Sequence, residues 1–215
     1  MKSRRYVSAV LNDFTAEIIR LKKLDQDSQQ RLSSSLGRPT SGSFTKKQVH
    51  IITESLFFSA FRAYESLIED VFLLYAMGKK PLSGRRPKSY LKTKDFDHAA
   101  SLIKSSMYFL DWTASDALIN RAELYLKDGY PIKAVITANQ TILKDLKRIR
   151  NHIAHNSRES SAKYQIVLRN TLTTIPVKIP EVGEYLLMTD RQNRPNYYLI
   201  TYINHIERIG TLLCG

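Results

Sequence analysis

Cysteine and glycine are scarce in this 215-residue chain. The single cysteine, Cys214, cannot form a disulfide within the chain, and it cannot supply the several thiolates of a structural zinc site. A chain that needs no disulfide suits a reducing compartment, so we expect a cytoplasmic protein. The eight glycines are scattered, and none belongs to a phosphate-cradling loop, a nucleophile elbow or a dinucleotide fingerprint. Nucleotide-binding folds built on glycine turns are therefore not expected.

Long apolar runs are also missing. The most apolar stretch, residues 55–75, is interrupted by charged side chains and does not predict a membrane span. The apolar stretch near the N-terminus, residues 6–11, is too short for a signal peptide. We therefore expect no membrane partner.

Acidic residues are outnumbered by basic ones. The sequence has 33 Lys and Arg against 20 Asp and Glu, which gives a net charge of +13 and a pI near 9.8. Such a surplus attracts polyanions because counterions are released on binding, and nucleic acid is the commonest partner of this kind. The simpler alternative is that the charge only keeps the protein soluble.

Apolar residues recur at helical spacing along most of the chain, which predicts a mainly α protein. The first helix is expected over about residues 4–34. A second helix is expected from a capping box at Thr45 and Gln48 to a C-cap at Gly78. Apolar residues occupy most of the circumference of this second helix, which predicts that it lies at the centre of the helical bundle.

The texture of the sequence changes towards the C-terminus. Short β-branched and aromatic segments broken by prolines predict a small β-hairpin appendage at about residues 173–200. A closing helix is expected at about residues 201–213. We interpret residues 1–215 as a single domain with a helical core at about residues 45–160.

Residues 79–94 form a strongly basic loop that contains Arg85 and Arg86. Two interpretations are equally open: the loop contacts a nucleic-acid backbone, or it is a disordered connector.

Six consecutive residues carry most of the usable chemistry, and they follow an amphipathic helical run: Arg150, Asn151, His152, Ile153, Ala154 and His155. A guanidinium pairs with phosphate, and an imidazole exchanges protons near neutral pH. On an ideal helix Asn151 and His155 project about 40° apart, whereas Arg150 and His155 project about 140° apart. One helix therefore does not aim both groups at one point, but a two-fold dimer axis would bring two motifs into one groove.

The arrangement Arg150-Asn151-x-x-Ala154-His155 resembles the R-x4–6-H signature of HEPN (higher eukaryotes and prokaryotes nucleotide-binding) domains. The resemblance covers about residues 45–160. It implies a homodimeric helical bundle, and it implies a metal-independent endoribonuclease of toxin–antitoxin or antiviral defence systems. It also implies RNA as substrate, no cofactor, and an antitoxin or defence-system protein as a possible partner.

The resemblance also implies roles for individual residues. His155 would be the acid/base, Arg150 would stabilise the phosphate, and Asn151 would orient either the phosphate or the histidine. Glu65 would hold Arg150 through an ion pair, with Glu69 on the same helical face as further support. The basic residues expected to contact RNA are Lys147, Arg148, Arg158, Arg85 and Arg86.

Three alternatives stay open. In the first alternative, the chain is a HEPN-like module that binds RNA or protein without cutting. In the second, His152, His155 and Glu159, which share a helical face, form part of a zinc site. In the third, Arg150 and His155 only complement the dipole at a helix C-terminus.

Overall fold

The computed structural model describes residues 6–33, 44–105, 110–172 and 177–215. Helices cover 73% of these residues, and they contain no β-sheet. The prediction of a mainly α-helical chain is confirmed. The nine α-helices of the described residues, with a short 3₁₀ turn at Lys127–Gly129, are α1 Val7–Ser33, α2 Lys46–Ala76, α3 Phe96–Lys104, α4 Ser115–Tyr125, α5 Ile132–Ala138, α6 Gln140–His155, α7 Arg158–Thr171, α8 Val182–Leu186 and α9 Tyr198–Cys214.

Helix α2 begins and ends where local signals place its boundaries. The Thr45 backbone N–H donates to the Gln48 side chain at 2.8 Å, and the Gln48 N–H donates back to the Thr45 hydroxyl at 3.3 Å. These bonds form the expected capping box. At the other end, Gly78 has a φ of +68°, and Lys79 N–H donates to Leu74 C=O at 2.9 Å. A glycine in this conformation ends the helix in a Schellman motif.

The chain divides into two compact units. The first unit comprises Met1–Ala16, Ala63–Lys144 and Glu207–Gly215. The second unit comprises Glu17–Arg62 and Asp145–Ile206.

Aromatic side chains and one close helix approach build the core of the first unit. The rings of Phe72 and Trp112 pack with centroids 5.3 Å apart. On α9, a Cβ added at Gly210 would lie 2.6 Å from Phe14 and 2.7 Å from Leu67. Because no side chain fits in that space, only glycine at position 210 lets α9 lie so close to Phe14 of α1 and Leu67 of α2.

Four buried tyrosines from α7, α8 and α9 organise the second unit. The Tyr185 ring stacks on Tyr198 at 4.7 Å and meets Tyr164 edge-on at 5.9 Å. The Tyr185 and Tyr202 hydroxyls form a hydrogen bond of 2.5 Å. The cluster therefore buries large aromatic rings while hydroxyl groups of these rings form hydrogen bonds.

The β-hairpin appendage expected at residues 173–200 is not confirmed. Residues 173–176 lie outside the described residues. Val182–Leu186 is helical, and α9 already begins at Tyr198, so strands at these positions are wrong. Within the described part of this segment, the β-pairing is one isolated antiparallel bridge between Thr189 and Tyr197. The preference of aromatic and β-branched residues for strands depends on how their side chains pack. Here the aromatic side chains pack against one another while their backbone is helical.

Candidate functional site

The motif Arg150–His155 occupies the last turns of α6, in the second unit. Asn156 follows with a φ of +42°, a left-handed conformation that asparagine tolerates better than most residues. Its N–H donates to the His152 C=O at 2.9 Å. Ser157 then caps α7 through a reciprocal pair of bonds with Ser160. The chain turns sharply here, so the helix end that carries the motif is firmly placed.

Arg150 is half-buried and is held from two sides. Its Cζ lies 5.5 Å from the centroid of the Phe58 ring on α2, a cation–π distance. Its Nη1 donates to the Asn151 side-chain oxygen at 3.2 Å. Because that oxygen accepts this bond, the Asn151 amide group keeps its N–H donors for other partners. The pair presents an oriented guanidinium beside an amide donor, a combination suited to an anion.

His155 is the last residue of α6, and its side chain is exposed. The helix is continuous from Gln140 to His155, so Arg150 and His155 keep the wide angular separation of an ideal helix. An exposed imidazole at a helix end is accessible to a large substrate. Nevertheless, the segment of one chain does not direct both groups to the same point.

His152 has a definite structural role that the sequence pattern did not reveal. Its Nδ1 lies 3.0 Å from the Ser160 hydroxyl oxygen, and its ring stacks on Tyr164 with centroids 5.0 Å apart. Burial lowers the pKa of His152, which favours the neutral imidazole. Ser160 donates to the Ser157 C=O at 3.0 Å, so its oxygen can accept from an Nδ1–H of His152. His152 thereby ties the end of α6 to the start of α7.

A cavity of about 280 Å³ adjoins this helix end within the second unit. His50 Nδ1 lies 3.8 Å from a Glu181 carboxylate oxygen at its wall. Glu54 accepts a bond of 2.8 Å from Gly183 N–H, so one of its oxygens is committed to structure. The residues that line the cavity are Lys47, His50, Ile51, Glu54, His152, Ile153, Asn156, Glu181 and Val182. Three segments build it, at residues 47–54, 152–156 and 181–182, and they are far apart in sequence, so no local pattern could have revealed it.

The alternative zinc site is not assembled. Glu159 pairs with Lys163 at 2.6 Å, and His152 is engaged by Ser160. Across the ranges that the structure covers, no group of three or more His, Cys, Asp or Glu side chains is arranged to hold a metal ion. The alternative in which His152, His155 and Glu159 share a metal therefore has no support in the described residues.

The basic residues expected to contact RNA differ in their surroundings. Arg148 pairs at 2.6 Å with the buried carboxylate of Asp145, which fixes its side chain against the helix. Lys147 is half-buried, and Arg158 is exposed at the first position of α7. Arg85 and Arg86 are both exposed and belong to the first unit.

The two supporting acids lie on the part of α2 that belongs to the first unit. Glu65 is half-buried and Glu69 is exposed. An ion pair between Glu65 and Arg150 stays a prediction.

Comparison with known proteins does not assign the site. The chain matches no protein family, and neither a curated protein nor a solved structure is significantly similar to it. Among the described helices, none has the length and apolar character needed to cross a membrane. A functional conclusion therefore depends on the geometry and chemistry of the side chains.

Proposed function

We propose that the chain is a homodimeric endoribonuclease of the HEPN type, which cleaves RNA without a metal ion or other cofactor. The observation that carries this proposal is the arrangement at the end of α6. There Phe58 and Asn151 hold the Arg150 guanidinium, while His155 is exposed. An oriented guanidinium binds phosphate, and an accessible imidazole transfers protons near neutral pH.

The proposed reaction is a transesterification within the RNA. The 2′-oxygen attacks the adjacent phosphorus as its proton passes to an imidazole. The bond from phosphorus to the 5′-oxygen breaks, and that oxygen takes a proton. The products are a 2′,3′-cyclic phosphate and a 5′-hydroxyl, so neither water nor an oxidant is consumed. His155 transfers the proton, and Arg150 stabilises the charge that builds on the phosphoryl oxygens.

A dimer supplies the geometry that one helix lacks. A two-fold axis near the end of α6 brings both motifs to one groove. In that groove His155 of one chain transfers the proton beside the phosphate that the partner's Arg150 stabilises. Lys147 and Arg158 then contact flanking phosphates, which fix the register of the RNA.

We further propose that the protein is a toxin or an antiviral-defence effector. Uncontrolled cleavage of cellular RNA harms its own host, so such an enzyme needs a restraining protein. An antitoxin or another component of a defence system would have this role.

The test is cleavage of a labelled RNA in the presence of EDTA, with the products resolved by length and by end chemistry. Because general acid–base catalysis contributes about 10²–10⁴-fold, we expect His155→Ala to lower the rate by about a hundredfold or more. Arg150→Ala should have an effect of similar size, and both variants should retain the parent's helical circular dichroism.

Arg62→Ala is the matched control, because Arg62 is an exposed arginine of the second unit outside the motif. It should cleave at the parent's rate. Cleavage that continues unchanged in His155→Ala and Arg150→Ala would overturn the catalytic assignment. Tight, salt-sensitive RNA binding without any product would instead identify a non-catalytic binding module.

A further inference from the structure

The loop between α2 and α3, residues 79–94, carries seven Lys and Arg and no acidic residue. It lies in the first unit, away in sequence from the motif of α6. The loop has no helix or sheet of its own, so its backbone must find other partners. How those partners hold the chain decides whether the charges form a fixed surface.

Hydrogen bonds from neighbouring segments hold this loop at several points. Leu82 N–H donates to the C=O of Cys214 at 2.8 Å. Further along, Tyr90 N–H donates to the Tyr125 C=O at 2.9 Å, and Lys127 N–H donates to the Lys88 C=O at 2.8 Å. The latter two bonds flank an antiparallel bridge between Ser89 and Leu126. The backbone of the loop is therefore held by the fold of the first unit.

Side chains are exposed at every second position over the second half of the loop. Pro87 is buried, and Ser89, Leu91 and Thr93 are partly covered. The alternating positions are all exposed, and we call these five residues the basic row: Arg86, Lys88, Tyr90, Lys92 and Lys94. This alternation is that of an extended chain, in which alternate residues lie about 6.5–7 Å apart.

The basic row combines cations with an aromatic ring at its centre. Tyr90 is 59% exposed, with two cations before it and two after it. The nearby acid Asp128 faces Arg85, with nitrogen and oxygen 4.0 Å apart. Considering only the described residues, none of the four cations of the row forms an ion pair. Their charge is therefore available to a ligand.

We propose that the basic row binds single-stranded RNA, with its cations on successive phosphates and the Tyr90 ring stacked on a base. Flexible single strands expose bases that stack on aromatic side chains, and grooves of positive charge follow their backbone. The inference uses the proposed function only in taking RNA as the ligand. It does not require cleavage.

The central tyrosine distinguishes this proposal from simpler interpretations. Charges that only maintain solubility need no exposed aromatic ring among them. An acidic protein partner would use the cations but would gain little from a ring that suits the face of a base. RNA uses both elements of the row.

The experiment measures binding of a fluorescent 2′-O-methyl oligouridylate to the full chain by anisotropy over a range of salt concentrations. This ligand has no free 2′-hydroxyl, so binding is measured without cleavage. Each phosphate contact to a single strand contributes about 0.7 to the slope of log K against log salt. We expect the double variant Arg86→Gln/Lys88→Gln to bind about tenfold more weakly at low salt, with the slope reduced by about 1.4.

Two further comparisons test the ring and the net charge. Tyr90→Ala should weaken binding about fivefold to a hundredfold, whereas Tyr90→Phe should bind like the parent because the stacking face is retained. The matched control is Lys23→Gln/Lys104→Gln, which removes two exposed charges outside the row. It should bind within about twofold of the parent.

The proposal is wrong if the control weakens binding as much as the row variant does, since net charge alone would then explain the affinity. It is also wrong if Tyr90→Ala binds like the parent while polyglutamate competes as well as RNA, because an acidic protein would then be the better ligand. Unfolding curves that match the parent's establish that each variant is folded. Failure here leaves the EDTA-resistant cleavage by Arg150 and His155 untouched, and the reverse also holds.

Discussion

The aromatic ring of Phe58 supports the guanidinium of Arg150, with Cζ 5.5 Å from the ring centroid. Phe58 lies on α2 and Arg150 on α6, so a residue far away in sequence orients the group that is expected to bind phosphate. Together with the hydrogen bond from Arg150 to Asn151, the ring restricts the rotamers that the guanidinium can adopt. The contact therefore makes Phe58 a positioning residue for the proposed reaction.

Substitution of Phe58 should lower RNA cleavage without abolishing it. A cation–π contact contributes about 0.5–2 kcal/mol, which corresponds to about a twofold to thirtyfold change in rate. We expect Phe58→Leu to reduce kcat within this range and Phe58→Tyr to cleave like the parent, because tyrosine keeps the aromatic face. Single-turnover kinetics measure the effect. Equal loss in both variants would show that packing volume, and not the aromatic face, places the arginine.

Mixing of inactive variants tests whether two chains build one site. Arg150→Ala and His155→Ala should each be inactive alone. In mixed dimers one chain retains Arg150 and the other retains His155, so a shared groove recovers one intact pair. We expect the mixture, after denaturation and joint refolding, to cleave RNA at least about tenfold faster than either variant. Activity no higher than the sum of the two variants would place the complete site within a single chain.

Asp25 should make the stability of the protein depend on pH. Its carboxylate is buried on α1, where it accepts hydrogen bonds from Tyr197 and Gln29, and burial raises its pKa from 3.8 to about 6. The folded chain therefore holds this proton more tightly than the unfolded chain. The resulting stabilisation is complete below about pH 4 and is lost as the pH rises through 6.

We expect Asp25→Asn to be more stable than the parent at pH 8 by about 1–3 kcal/mol, since the amide carries no buried charge. The difference should shrink steadily as the pH is lowered through 6. Urea unfolding of both proteins between pH 4 and 8 provides the measurement. A constant difference across this range would mean that the carboxyl does not titrate differently in the two states.

Two glycine substitutions should separate crowding from backbone strain. At Gly210 a methyl group would press into Phe14 and Leu67, so Gly210→Ala should destabilise the protein by about 1–3 kcal/mol. At Gly78 no atom lies within 4 Å of an added Cβ, but φ is +68°. Gly78→Ala should therefore cost only the left-handed strain, about 1 kcal/mol. Chemical denaturation gives both values, and an unaffected Gly210→Ala would mean that the two neighbouring side chains move aside.

Local signals predicted the helix boundaries more successfully than the contacts of the candidate site. The capping box of Thr45 and Gln48 and the glycine at position 78 act within one helical turn, so the sequence reveals them directly. The structural role of His152 is not predicted by the sequence pattern, because its partners, Ser160 and Tyr164, belong to the next helix. A turn that brings two helices together cannot be read from the periodicity of either one.

The segment at residues 173–200 shows a second limit of local patterns. Tyrosines and β-branched residues favour strands on average, yet Tyr185 and Tyr198 pack as parts of α8 and α9. Contacts with aromatic rings on other helices decide the secondary structure of these residues. Such long-range contacts are not visible in a short stretch of sequence. The same reason explains why the support of Arg150 by Phe58 was not predicted.

Trp112 is the only tryptophan of the chain, and its ring packs against Phe72 in the first unit. The buried rings of Tyr164, Tyr185, Tyr198 and Tyr202 belong to the second unit. Selective excitation of the indole consequently gives an emission signal from the first unit. The protein thus contains an intrinsic optical probe with which the melting of that half can be followed without any label.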